Sequence, residues 1–214
     1  MKAAKNPQGF TIVGGVVLAL LVAAAGAGLA LYGYANALRS QDVSWSTQLN
    51  AQYLANQNYL SNYVSGFYEQ LGLVKYKSEK LDQVLLNYAK ARGEKGAVGQ
   101  AFLAAVVEAV PDLKGLNIAD KMLAYVQAGR EGYRATQDKL LDMLKGYDAW
   151  REDGYVQSLI VAKVIGVPSE RLEARIGDKV WRGKEAREKM YTIVLTSDTK
   201  KAYETGTMEP LQVK

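Results

Sequence analysis

The chemistry open to this chain is narrowed first by two residue types that it lacks. Among 214 residues there is no histidine and no cysteine. No thiolate nucleophile, disulfide, imidazole base or Cys/His zinc site can therefore be built. Carboxylate, lysine, tyrosine and serine chemistry remain. The best-spaced acids are Glu108 and Asp112, which flank Pro111 and would suit general acid–base work if they faced one cleft. The plainer reading is preferred, in which Asp112 forms a turn beside proline and Glu108 faces solvent. Asp138, Asp142, Glu152 and Asp153 are too sparse for an oxygen-ligand cation cage. Gly93, Gly96 and Gly99 lack the preceding strand and the closing Gly-Lys-Ser/Thr of a phosphate loop. No catalytic, cofactor-binding or metal-ligating residue is assigned, and the expectation is a non-enzymatic protein with no cofactor.

Tyrosine is the other notable side chain, 14 residues against 3 phenylalanines. At helical spacing such a ring is usually half-buried, its hydroxyl reaching water or a partner. Core packing is the default explanation. Tyr53, Tyr59, Tyr63 and Tyr68 form a candidate partner surface as the second.

The elements that carry these residues begin with an uncharged stretch from Asn6 to Leu38. Within it, residues 10–34 are mostly Val, Leu, Ala and Gly. As a helix they would be about 37 Å long, enough to cross a ~30 Å hydrocarbon core with some tilt. Tyr32 and Tyr34 stand where an interfacial aromatic belt would lie. Lys2 and Lys5 precede the span, and Arg39 is the only basic residue between it and Lys75. The positive-inside rule then predicts a cytoplasmic N-terminus and an extracytoplasmic bulk. Gly15, Ala19, Ala23 and Ala27 recur every four residues and would let two spans pack closely. The run Ala23 to Ala27 also offers small-x-small sites like those of a cleaved signal peptide. The apolar run continues through Leu29, Ala30 and Leu31, which favours an uncleaved anchor. Gly9-Phe10-Thr11 is similar to a type IV prepilin processing site, but Gly14 stands where that motif needs a glutamate.

The +5 net charge is partly this anchor signal. Residues 39–214 carry a basic surplus of only three, and the cluster from Lys179 to Lys189 is diluted by Asp178, Glu185 and Glu188. No dense basic stripe exists, so nucleic acid is not an expected partner.

Beyond the span, proline is absent from residues 41–110. Trp45, Leu49, Tyr53, Asn56, Leu60, Tyr63, Phe67, Leu71, Val74, Ser78, Leu81, Leu85 and Tyr88 recur with a mean step of about 3.6, the amphipathic-helix period. The segment is expected to be one helix of about 50 residues, continuous with the span and weakened at Gly66 and Gly72. Residues 100–110 predict a short apolar helix broken at Pro111. Asn117 is a plausible cap for a third helix reaching Trp150, with Leu123, Val126, Tyr133, Leu140, Leu144 and Tyr147 buried and Gly129 and Gly132 as weak points. Residues 155–167 are apolar but too short to span a bilayer; they read as core, with contact to a membrane surface as the second reading. Ser169 before Glu170 resembles a helix cap, and a further helix is expected from Lys184 to about Leu195. Strand signals are almost absent. The predicted fold is all-α, a transmembrane helix followed by an elongated antiparallel bundle of long helices.

Several segments resemble the LemA family of membrane-anchored bacterial proteins. They are Tyr34-Ala35-Asn36-Ala37-Leu38-Arg39, Trp45-Ser46 and Leu60-Ser61-Asn62-Tyr63-Val64. Most specific is Val110-Pro111-Asp112-Leu113-Lys114 with Asn117, close to the family's Pro-Asp-Leu-Lys turn. Ser158-Leu159-Ile160 through Gly166 is similar to its apolar C-terminal stretch. The likeness covers residues 10–167 and marks a divergent member. Basic residues expected after Trp45 are replaced by Gln, Asn and Ala, and residues beyond 170 extend past the pattern. The resemblance implies one N-terminal anchor and an antiparallel bundle, with no catalytic site or cofactor.

The expected organisation is a basic segment at 1–9, a transmembrane helix at 10–34, a LemA-like bundle at 35–167 and a helical extension with a polar tail at 168–214. Its expected partners are the lipid bilayer and an unknown protein, with a second copy of the chain among the options. The leading functional expectation is an interaction or scaffold module at the membrane. A ligand-sensing or envelope-signalling ectodomain is second, and a pilin-like or virion structural subunit third.

Overall fold

The computed structural model describes residues 7–90, 95–112 and 118–192, with side chains described from 12–90, 99–112 and 118–192. It is mostly helical. Helix α1, Pro7–Gln70, is a single 64-residue helix. Pro7 sits in its first turn, where a missing N–H costs nothing, and no other proline follows until Pro111. The apolar stretch of α1 is exposed along its length, while the part beyond Leu38 is buried on one side.

The expected 50-residue helix ends early, at Gly72. This glycine has φ +66°, a left-handed conformation that costs other L-residues roughly 1–2 kcal/mol. The Leu73 N–H bonds the Tyr68 carbonyl at 2.8 Å and the Gly72 N–H bonds the Glu69 carbonyl at 3.3 Å. That pair is a Schellman cap, which satisfies two of the carbonyls left over at a helix end. A 3₁₀ turn, Val74–Tyr76, leads to α2, Glu79–Lys90, whose first turn is closed by Ser78 Oγ accepting the Leu81 N–H. The apolar period persists across Gly72 because α1 and α2 bury side chains in the same cluster.

Helix α3 is Lys95–Ala109. Helix α4, Ala119–Glu152, buries Met122, Val126, Gly129, Tyr133, Leu140, Leu144 and Tyr147, a helical stripe facing α1. Its start lies next to Asn117, which, with Leu113 and Lys114, falls outside the described residues. Helix α5, Tyr155–Leu159, runs into a π-helical turn, Ile160–Ile165, closed at Gly166 in the left-handed region, φ +71°.

The predominance of helix agrees with the all-α expectation, and one small hairpin is added to it. Strand β1, Glu173–Ile176, pairs antiparallel with β2, Lys179–Arg182, with Ile176 opposite Lys179. Gly177 and Asp178 form the two-residue loop, and Gly177 has the positive φ (+55°) that such tight turns require. Helix α6, Gly183–Tyr191, follows. The helix expected to start behind Ser169 is absent, because the buried Ser169 hydroxyl is bonded to Asp42 at 2.7 Å rather than to a helix N–H. The hairpin's backbone is held by α1: Asn50 Nδ2 donates to the Arg171 carbonyl at 2.9 Å, Asn50 Oδ1 accepts the Glu173 N–H at 2.8 Å, and Gln57 Nε2 donates to the Arg175 carbonyl at 2.7 Å. These amides cover backbone groups that an edge strand would otherwise expose.

Two apolar clusters fill the interior. The span-proximal one joins Leu38 and Leu49 of α1 to Leu144 and Tyr147 of α4, to Ile160 and Val161, and to Leu172, Ala186 and Met190. The distal one joins Tyr63 and Phe67 to Leu81, Leu85, Phe102, Val106 and Val126. Between them lie Gln52 and Asn56, both buried, with Gln52 Nε2 donating to Asn56 Oδ1 at 2.8 Å. Asn56 is the polar interruption in the apolar period of α1.

Candidate functional site

The faces of α1 and α4 meet through aromatic rings set against glycines. A methyl group at Gly129 would overlap the Tyr63 ring, one at Gly132 the end of Tyr59, and one at Gly146 would lie 3.0 Å from Trp45 Cη2. Gly66 of α1 does the reverse, opposite the Tyr125 hydroxyl. The two glycines read as weak points in α4 are notches that admit tyrosines of α1.

Beside this seam is a groove of about 340 Å³ lined by Tyr59, Asn62, Tyr63, Gln70, Tyr125, Ala128 and Gly129. Tyr63 and Tyr125 stack with ring centroids 5.6 Å apart. The Tyr125 hydroxyl donates to the Tyr63 carbonyl at 3.0 Å, and that of Tyr59 to the Gly129 carbonyl at 3.2 Å. The Tyr63 hydroxyl is buried with no hydrogen-bond partner among the described residues. Burial pushes the phenols of Tyr59, Tyr63 and Tyr125 above their ordinary value. They stay protonated near neutrality, and those of Tyr59 and Tyr125 serve as hydrogen-bond donors rather than nucleophiles or bases.

Of the four tyrosines expected to share a partner surface, Tyr63 and Tyr68 are buried. Tyr68 donates to Asp82 Oδ1 at 2.6 Å. Tyr59 is half-buried beside Tyr133, and Tyr53 packs on the span-proximal cluster. The four hold the fold together and do not form one exposed stripe. Gly15, Ala19, Ala23 and Ala27 all lie on the exposed apolar part of α1. Pro111 and Asp112 are exposed, and Glu108 forms an open ion pair with Lys80 at 3.4 Å. No group of three acids that could hold a metal ion occurs among the described residues.

Two polar centres were not legible in the sequence. Asp42 is fully buried, accepting hydrogen bonds from Ser169 at 2.7 Å and Tyr147 at 3.4 Å, with Arg171 Nη1 at 3.7 Å. Asp148 accepts two bonds from Arg187 at 2.7 and 2.6 Å and one from Tyr191 at 2.5 Å. Burial acts against the Asp148 carboxylate, yet Arg187, Tyr191 and Arg151 together hold it below the usual range. Burial and the bond to Asp148 push Tyr191 up to about 12. Both centres tie the C-terminal elements to the long helices.

Comparison with family models, curated proteins and solved structures finds no match. The site is therefore read from its geometry alone.

Two outcomes follow from these centres. Asp148→Asn is expected to destabilise the fold by about 2 kcal/mol, because it breaks a two-pronged charged bond that is mostly shielded. The carboxylate is held low, so its contribution is present above its unfolded value near 3.8 and is lost as pH falls through the lower folded value. Denaturant melts of both chains should thus converge in acid; a constant gap from neutrality to strong acid would disprove the assignment. The tyrosines run the other way. Their raised values mean that stability present below pH 10 is lost as pH rises through the folded values. Tyrosinate absorbance should show a large fraction of phenols ionising only together with loss of helical circular dichroism. Full ionisation at ordinary pH with the helices intact would contradict their burial.

Proposed function

We propose that this chain is a single-span membrane protein of LemA-like type, non-enzymatic, which presents an antiparallel helical bundle as an interaction or scaffold module. The observation that carries the reading is the continuity of α1. One helix leaves an exposed apolar stretch and enters the packed region with no break before Gln70. Any tilt or rotation of the span is thereby passed to the bundle. The pairing of α1 with α4 supports the antiparallel arrangement, since Trp45, Tyr59 and Tyr63 meet Gly146, Gly132 and Gly129 in reversed chain order. The absence of histidine and cysteine and the protonated, inward-bonded tyrosines support a role in contact rather than turnover.

The proposed topology, from Lys2 and Lys5 against a nearly uncharged exit, has the N-terminus in the cytoplasm of a bacterial cell and the bundle outside the membrane. A single cysteine at Leu54, which is 45% exposed, tests this in a chain otherwise free of cysteine. A membrane-impermeant maleimide should label it in intact cells. Labelling only after lysis would reverse the topology. Proximity labelling from the same position then identifies the partner, and recovery of no neighbour beyond bulk membrane proteins would count against a scaffold. A ligand-sensing ectodomain is the second reading, favoured by the groove and the unpartnered Tyr63 hydroxyl on its wall.

A further inference from the structure

The segment Tyr155–Ile165 is apolar on both sides. Ile160 and Val161 are buried in the span-proximal cluster, while Tyr155 is 97%, Val156 58%, Leu159 62% and Val164 70% exposed. A helix that is hydrophobic all round is normally covered all round, and here the outward face has no cover among the described residues.

Its place along α1 indicates what covers it. The Tyr34 hydroxyl donates to Gln157 Oε1 at 3.3 Å, and Ala35 and Leu38 share a cluster with Ile160 and Val161. Counting from Ile12, Tyr34 lies about 33 Å along the helix, the distance needed to clear a ~30 Å hydrocarbon core. The first charged residue after the apolar stretch is Arg39. The segment therefore packs against α1 between the end of the hydrocarbon and the first charge, at headgroup level. Lys163, the one charge within it, has a stem long enough to lie along apolar surface with its ammonium among the headgroups.

We propose that the outward face of Tyr155–Ile165 is a membrane-interface foot, inserted into the leaflet from which α1 emerges, so that the base of the bundle is held at two points. The foot rests on the single-span reading, and its partner is a lipid surface rather than a protein. Tyr155 then stands as an interfacial aromatic beside Tyr32 and Tyr34, and Val156, Leu159 and Val164 meet acyl chains. Two-point attachment sets the tilt of the bundle on the membrane, which a single helix would leave free.

The test uses the full chain in phosphatidylcholine nanodiscs, with single cysteines carrying nitroxide spin labels at Leu159, Val164, Val22 and Leu54. All four positions are exposed, so the labels do not disturb packing. The ratio of collisions with oxygen to collisions with a water-soluble nickel chelate reports depth. Leu159 and Val164 are expected to give ratios about threefold or more above Leu54, as for side chains seated ~5–10 Å into the interface. Ratios equal to that of Leu54, with Val22 high, would overturn the foot and leave the span intact. Ratios at Val22 as low as at Leu54 would overturn the span, and the foot with it. Low access to both reagents at Leu159 and Val164 would show a protein cover and overturn the foot.

Discussion

Asp42→Ala is expected to lower the stability of the folded chain by about 3 kcal/mol, since it leaves two buried hydroxyls without their acceptor and each such group costs ~1–3 kcal/mol. The groups are Ser169 and Tyr147, which donate to one carboxylate oxygen each. Arg171 adds little to the loss: its side chain is 43% exposed and can turn to water. The consequence is spatially specific. Asp42 joins α1 to Tyr147 on α4 and to Ser169 ahead of β1, while the Asn50 and Gln57 amides still hold the hairpin and Asp148 still holds α6, so the chain around Ser169 should loosen first. Asp42→Asn keeps the shape and one good acceptor and should cost about 1 kcal/mol. Denaturant melts in nanodiscs, with hydrogen exchange over residues 167–191, check both magnitude and place. Equal stability for Asp42→Ala and the parent would mean that the buried knot does not organise this end of the molecule.

Gly129→Ala should destabilise by roughly 2 kcal/mol, although the same change in an isolated helix stabilises by about 1 kcal/mol. The sign is decided by Tyr63, whose ring the new methyl would overlap along an edge. That ring is only 4% exposed and is stacked on Tyr125. It can yield only by giving up that stacking, and overpacking of this kind costs ~1–3 kcal/mol net. Gly132→Ala is the contrast. There the methyl meets the hydroxyl end of Tyr59, which is half-buried and can swing outward at the loss of one hydrogen bond, worth about 1 kcal/mol. The helix gain and that loss nearly cancel. Melting temperatures measured side by side should place Gly132→Ala close to the parent and Gly129→Ala several degrees below it. The reverse order would mean that the α1–α4 seam is packed differently.

The elements legible in the sequence are those with long uniform patterns. The uncharged stretch from Asn6 to Leu38 and the buried stripe of α4 are read from hydropathy and period alone, because a 3.6-residue repeat over thirty residues has few alternatives. The end of α1 was hidden by that same repeat: Leu71, Val74, Ser78 and Leu81 stay in phase across Gly72, and the glycine itself was the signal. The hairpin escaped because its strands are four residues each and only Ala174 is buried. The Gly177-Asp178 pair was its one local mark. The Gln and Asn residues after Trp45 have a physical account in the chain beyond residue 170: Asn50 and Gln57 hold that segment by its backbone. Asp42 could not be singled out, since a lone acid on a helix gives no hint of a serine 127 residues away. The tyrosines showed as numerous, but their fit into glycine notches depends on which faces of α1 and α4 meet.

The central claim is that the apolar stretch of α1 crosses a bilayer and carries the bundle on the same helix. Flotation of the full chain with liposomes through a urea-containing density gradient, beside a Leu18→Arg/Leu21→Arg variant, tests it most directly. Each arginine at mid-span opposes insertion by ~2.5–3.5 kcal/mol. The parent should float with the lipid and leave it only in detergent, while the variant should stay at the bottom of the gradient with its helical content unchanged. A parent chain that stays behind as a soluble species, or a variant that floats equally well, would contradict the account.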